Sequence, residues 1–520
     1  MLSSPTPAGR SSLRAPSPPY IRHATALRWH ASGVETPTSR YPAVCCRYPY
    51  PLERRNAVLL AQLASADGFD ETQVSTHAQV ATAYYVIGLV AIALAVAGVF
   101  MFDAGLSRRG NVLHTLIQKL AAASVGGVAM AVVGFAIWDV QFTQAFGSAS
   151  PIKDAFQSWW LFGDNINAYS HQLDHAVVPD AEAFQAFFAI FIIFGAFFAA
   201  LLAGAVIERV RTGALVVVSA VFAGLVIPVG AYLVYGPVGP LSNAGTHDFG
   251  GAFFYILLGT WALVLVWRAK PRPIAYVGDP AMAPHNLAYV VLGLLLFIAG
   301  LCGYVLLNGF LVEGAGFFGI TLNESGMGIV LTNLMVTVMA GGVGGLLAWK
   351  VTGNVYFFLV APIAGWVASA ASMDVVNPWQ SGLIALFAPF VVVGGYQLVK
   401  RAGLDDIKIV PITLGPAIYG VLATGVFANG VKQGGYVGLE GKYAFQHASI
   451  DIGQQAIGVL VFVVLGLVSA LAVVLVVEKV LGLREERIDQ GLDSDLDRSV
   501  VGWSGYGDPA TAPSAAAHGD

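Results

Sequence analysis

Long apolar runs recur along this chain, and they constrain its fold more than any other feature. They fall at about 79–101, 113–138, 184–207, 214–236, 250–268, 288–311, 326–349, 354–372, 381–399, 409–428 and 452–477. Each is long enough to take a helix across a bilayer, which needs roughly 17–25 residues. Backbone groups in lipid must be satisfied internally, so these runs are read as helices. Barrel strands would be about ten residues long and would alternate in polarity. The expected fold class is therefore an all-α polytopic membrane protein with about eleven transmembrane helices. Charged residues make up only 11% of the 520, against roughly 25% in soluble domains. A water-soluble enzyme of this size could not cover its surface. The 60 glycines fit helices that pack closely in a membrane.

The ends have a different composition. Residues 1–78 are rich in Pro, Ser and Arg and are read as a disordered extension or a signal-like segment. The second reading rests on Arg54-Arg55, the apolar Ala57-Val58-Leu59-Leu60 and Ala64-Ser65-Ala66. A chance apolar patch fits those residues equally well. Residues 79–477 form the transmembrane domain, and 478–520 an acidic, then Gly/Pro/Ala-rich cytoplasmic tail.

Orientation follows from Lys and Arg. Arg108, Arg109, Lys119, Arg209, Arg211, Arg268, Lys270, Arg272, Lys350, Lys400, Arg401 and Lys408 lie on one side, against Lys153, Lys432 and Lys442 on the other. The positive side is cytoplasmic. With an odd number of spans, the N-terminus is outside and the C-terminus inside, in a plasma or inner membrane.

Several chemistries find no support. A net charge of −4 offers no surface for nucleic acid. Cys45, Cys46 and Cys302 supply neither a disulfide framework nor a zinc site. No nucleotide cradle is present, no carboxylate falls near a span centre, and the ten histidines lie in loops, tails or at a span start. We expect no enzyme, no metal and no cofactor.

Four local patterns remain: Gly105 to Leu113, Gly204 to Arg211, Asp248-Phe249-Gly250-Gly251, and Pro284-His285-Asn286-Leu287 followed by Gly293, Gly300, Gly303, Tyr304 and Asn308. Glu208 and Arg209 read as a charge pair at a helix end. Asp248 reads as a helix N-cap, or as an anionic element at the mouth of a cation path. Tyr304 and Asn308, four apart, share a helix face. Tyr235 ends the fourth span, either in the interfacial aromatic belt or as a cation–π wall.

Together these patterns resemble the ammonium transporter (Amt/Rh) family over most of residues 79–495. Thr424-Gly425-Val426-Phe427-Ala428 and Gly491-Leu492-Asp493 fit as well. The resemblance implies an inverted five-plus-five helical repeat with an eleventh helix, assembled as a homotrimer with one pore per subunit. It also implies ammonium or ammonia as substrate and a PII-type cytoplasmic regulator as partner.

Residue by residue, Asp248 matches the family's structural aspartate, and Tyr235 stands where a recruiting tryptophan is usual. Tyr304 takes one gate phenylalanine's place and Asn308 that of the vestibule serine. The other gate position is Phe194 or Phe188. The family's two pore histidines are absent: Tyr255 takes the first position, Leu257 replaces the asparagine after it, and Thr413 or Leu414 takes the second. A tyrosine hydroxyl, with a pKa near 10, shuttles protons poorly near neutrality. The expected function is passive ammonium or ammonia transport. The alternatives are a non-conducting ammonium sensor on the same scaffold and a channel for another small neutral solute.

Overall fold

The computed structural model describes residues 76–169, 172–173, 181–272, 284–312 and 316–485. The signal-like segment, His171, His175 and Gly491-Leu492-Asp493 lie outside the described residues. Among the described residues, ten helices are long and apolar enough to span a bilayer. In chain order they are α1 (Thr76–Leu106), α2 (Arg109–Ala145), α4 (Ala181–Ala205), α5 (Thr212–Val234), α6 (Ala252–Ala269), α7 (Leu287–Leu307), α8 (Met327–Thr352), α11 (Pro378–Arg401), α12 (Ile409–Phe427) and α13 (Ile452–Leu481). A short α3 (Pro151–Ser158) lies between α2 and α4.

The run expected at 354–372 is divided into α9 (Tyr356–Leu359) and α10 (Ala361–Ser369). Pro362, which has no N–H to give, sits at the start of α10, where a missing donor is tolerated. The pair completes the alternation of helices. Arg108, Arg209, Arg268, Lys350 and Lys400 thereby gather at one end of the bundle, the basic end. Two small hairpins, β1 (Gly309–Val312) with β2 (Gly316–Gly319) and β3 (Lys432–Gln433) with β4 (Ala448–Ser449), lie at the far end.

Glycines set the close contact of α1 with α7. α1 and α7 run antiparallel, with Gly98 against Gly293 and Phe297, and Gly105 against Asn286 and Val290. A Cβ at Gly98 would meet Phe297 N at 2.5 Å and Gly293 O at 2.6 Å. In lipid there is little hydrophobic gain from joining two apolar helices, so backbone approach of this kind supplies the attraction.

Two helices carry facing π-turns, Met130–Gly134 in α2 and Phe222–Val226 in α5. In each, the next amide reaches back five residues: Phe135 N–H to Met130 O and Ile227 N–H to Phe222 O. Pro228 explains the second, because its ring would clash with the carbonyl four residues earlier in a regular helix.

The inverted repeat is visible in two carboxylate caps at opposite ends. Asp406 accepts from the amides of Lys408 (2.9 Å), Ile409 (3.2 Å) and Val410 (2.8 Å) before α12. Asp248 does the same before α6, which runs antiparallel beside α12.

The helices overshoot the lengths read from the sequence. α2 continues to Ala145 and takes in Asp139, which is buried with Oδ2 unpartnered. α13 passes Glu478, which pairs with Arg268 at 2.7 Å. Asp103 in α1 and Lys119 in α2 are also buried. The interior therefore holds more charge than the span boundaries suggested, all of it within about three turns of a helix end.

Candidate functional site

At the far end, side chains from six helices and the segment after β2 close on one apolar cavity of about 40 Å³, room for a few water-sized particles. Trp138, Phe191, Phe194, Tyr235, Tyr304 and Asn308 are among its walls.

Tyr235 ends α5 in extended conformation, and its carbonyl accepts from Trp138 Nε1 at 3.1 Å and from the Gln141 amide. Its hydroxyl donates to Asp248 Oδ2 at 2.6 Å. Asp248 is fully buried and stands behind the wall, outside the cavity lining. Besides Tyr235 it accepts from the amides of Gly251 and Ala252 at 3.0 Å and Phe253 at 2.8 Å. One carboxylate thus starts α6 and fixes the aromatic wall.

The floor is a pair of rings. Phe194 of α4 stacks on Tyr304 of α7, with centroids 5.6 Å apart and planes at 29°. Phe188, the other gate candidate, instead meets Phe135 edge-on at 5.1 Å and is not among the lining residues. The Tyr304 hydroxyl donates to Gly250 O at 3.2 Å. Gly251 has φ +79°, and a Cβ there would meet the Tyr304 hydroxyl at 2.8 Å, so only glycine fits without strain. Asn308, one turn above Tyr304, has an amide Nδ2 with no partner.

Beyond the floor the packed side chains are mostly apolar. Tyr255 lies beside Phe198 at 5.5 Å, and its hydroxyl accepts from Trp366 Nε1 at 2.9 Å. Thr413 and Leu414 sit one turn further along, against Gly259: a Cβ there would meet Leu414 Cβ at 2.7 Å and Thr413 Oγ1 at 2.9 Å. The Thr413 hydroxyl is turned back to Ile409 O at 2.6 Å. Leu257 is fully buried. Trp366 and Phe254 were not singled out from the sequence. Trp366 falls in the divided span, and Phe254 has no polar neighbour to mark it.

Sequence reading also passed over His247, placed in a loop. It is fully buried, with Nε2 3.0 Å from Asp374 Oδ1 and Nδ1 2.7 Å from Gln433 Oε1. The Gln433 amide nitrogen donates to Ser242 O and Thr246 O, which orients its oxygen toward the ring. Both ring nitrogens therefore face acceptors, the arrangement an imidazolium satisfies. Burial opposes the charge, but the Asp374 carboxylate and the hydrogen bonds outweigh it and hold the His247 pKa above its ordinary value.

A raised native pKa means stability that is complete below the unfolded value of about 6.5 and is lost as pH rises through the native value. The melting temperature of the detergent-solubilised protein should therefore fall as pH is raised above about 6.5. In His247→Gln that pH dependence should flatten. A wild-type melting temperature that does not change over this range would remove the charged histidine from the account.

The basic end is tied by ion pairs. Arg272 reaches Asp405 at 2.8 Å, and Arg108 reaches Glu208 at 2.8 Å. Burial alone would raise the Asp405 carboxyl, but hydrogen bonds from Arg272 and the charge of Arg209 hold it at about 2. Residues after α13 join the same layer, with Glu485 N donating to Arg209 O at 2.9 Å.

The family model described as "Ammonium Transporter Family" matches residues 83–499. The chain belongs to the ammonium transporter family. Among its relatives are Ammonium transporter Amt2 of Archaeoglobus fulgidus, 28% identical over 64% of this chain and 68% of that protein. A putative ammonium transporter of Methanothermobacter thermautotrophicus is 29% identical over 78% and 93%. The fold is shared with the crystal structure of Saccharomyces cerevisiae Mep2, with TM-score 0.61, 18% identity and coverage of 81% of this chain and 91% of that one. It is shared equally with a structure titled Sensor Amt Protein, with TM-score 0.61, 19% identity and coverage of 80% and 97%. This family is one of transporters, not enzymes.

Proposed function

We propose that this protein conducts ammonium or ammonia passively, through one hydrophobic conduit in each subunit. The observation that carries this reading is the far-end cavity, with an aromatic wall, a stacked Phe194–Tyr304 floor and the polar side chain of Asn308 in its lining. A small cation is held by ring faces and by an oxygen acceptor. Ammonium has donors only, so Asn308 serves it through Oδ1. Asp248 acts from behind, by fixing Tyr235 and the start of α6. A charge at mid-bilayer costs at least about 2.5–3.5 kcal/mol even on lenient scales, so an apolar lining favours the neutral molecule beyond the floor.

On this reading the basic end is cytoplasmic, the cavity opens outward, and the N-terminus is outside with the C-terminus inside. The protein sits as a homotrimer in the plasma or inner membrane, and its basic face is the docking place for a PII-type regulator.

Labelled methylammonium uptake in a transport-deficient cell tests the proposal. Asn308→Ala should raise the half-saturating concentration about tenfold with the maximal rate largely kept, as removal of one hydrogen bond to a charged group implies. Unchanged saturation behaviour would remove Asn308 from the binding site.

A second reading, a non-conducting ammonium sensor, is favoured by one observation. The position aligned with the first family histidine is Tyr255, whose hydroxyl is occupied by Trp366. Ligand-dependent recruitment of a cytoplasmic partner, with no uptake, would select it.

A further inference from the structure

At the basic end, Asp103 of α1, Lys119 of α2 and Lys408 just before α12 meet in one buried cluster. Asp103 Oδ2 is paired with Lys119 Nζ, and Oδ1 with Lys408 Nζ. Lys119 Nζ also donates to the carbonyl of Ala200 in α4 at 2.7 Å. Side-chain exposures are 1% for Lys119, 4% for Asp103 and 8% for Lys408.

The cluster lies on the line of the conduit. Along α4, Phe194, Phe198 and Leu201 follow at helical spacing, one face of the helix. Phe194 stacks on Tyr304, and Phe198 lies beside Tyr255. Further down α4, a Cβ at Gly204 would meet Asp103 Oδ2 at 2.7 Å, Lys119 Nζ at 3.5 Å and Ile409 Cδ1 at 3.5 Å. Ile409 is one turn from Thr413 on α12, and Thr413 touches the Gly259 position below Tyr255. Floor, tyrosine, threonine and ion cluster therefore follow one another between α4, α6 and α12.

Each lysine head here is a tethered ammonium ion. Lys119 Nζ, held by a carboxylate and a backbone carbonyl, has the acceptor set that a free ammonium would take. Both carboxylate oxygens are already occupied. The other charges of this layer are committed elsewhere: Asp406 to the amides of 408–410, Asp405 and Glu208 to Arg272, and Arg209 to Asp405 at 3.7 Å.

We propose that Asp103, Lys119 and Lys408 form a charge plug at the inner end of the conduit, in which two tethered ammonium groups occupy the one carboxylate and exclude a permeating cation. The consequence is selectivity for the neutral molecule. This deepens the transport reading and rests on it for the substrate. Passage of ammonia needs no site at Asp103, whereas passage of ammonium needs one and meets two fixed like charges.

The composition of the plug makes it testable. Two lysines share one aspartate, so removing either lysine leaves a balanced pair and not an orphaned buried charge. Lys408→Met and Lys119→Met should therefore assemble, and Lys408→Gln is the milder form at the more exposed position. Purified protein is reconstituted into vesicles and given ammonium chloride pulses, with lumenal alkalinisation and electrical current read in parallel. Wild type should alkalinise the lumen without ammonium-evoked current. Either lysine variant should give an ammonium-evoked current at least tenfold above wild type, abolished again by adding Asp103→Asn.

A wild-type current as large as that of the variants overturns the plug, as do assembled variants without current. If wild type gives neither signal, the transport reading fails by itself. The plug then stands if a lysine variant opens a flux, and falls if none does.

Discussion

Asp248→Ala should abolish methylammonium uptake and lower the melting temperature of the solubilised protein by many degrees. The side chain accepts four hydrogen bonds in a fully buried position: three amides that open α6 and the Tyr235 hydroxyl. Alanine leaves all four donors unsatisfied, and each costs about 1–3 kcal/mol in a site without water. Even without additivity the sum is several kcal/mol, a large share of the stability of a folded chain. Loss of the Tyr235 bond also releases one wall of the cavity. Asp248→Asn keeps one oxygen but sets an NH₂ against an amide or a hydroxyl, so its defect should be intermediate. The measurement is uptake normalised to assembled protein, with thermal unfolding beside it. An assembled Asp248→Ala protein that takes up methylammonium at the wild-type rate would refute the conducting design proposed above.

Gly98→Val should give almost no assembled protein. Even the first carbon of a side chain would stand 2.5 Å from Phe297 N and 2.6 Å from Gly293 O, both backbone atoms that cannot turn aside. The helices α1 and α7 would have to separate along their whole contact, and with it would go the dispersion attraction that holds apolar helices together in lipid. The control is Gly342→Val in α8, where a Cβ meets nothing within 4 Å. Monodisperse protein on size exclusion should be lost in the first variant and kept in the second. Equal yields would show that the α1–α7 approach is not the contact that closes the bundle.

Much of the fold could be read from residue order, because lipid leaves a chain few options. Apolar length gives helices, and the sided distribution of Lys and Arg gives their alternation. The Asp248-Phe249-Gly250-Gly251 element was legible as a helix opening, since a carboxylate before a run of free amides is a local device. The division at 354–372 was harder to see, because hydropathy does not register a turn between two apolar helices. Helix ends were also misjudged, and Asp139 fell inside α2 for that reason. Lys119 counted in sequence as a marker of the basic loops, yet it is buried against Asp103. A charged residue near a helix end looks the same in sequence whether it reaches water or a partner.

The sequence by itself determined the class of fold, the number and order of its helices within one, the family, and that no histidine falls near the middle of an apolar run. Those properties depend on composition and on spacing along the chain. Only the tertiary structure decided which phenylalanine stacks on Tyr304, that Asp248 accepts from the Tyr235 hydroxyl, that His247 faces Asp374, and that Asp103 joins two lysines. These are contacts between residues up to about 300 positions apart, and side-chain direction on packed helices sets them, which no local pattern encodes.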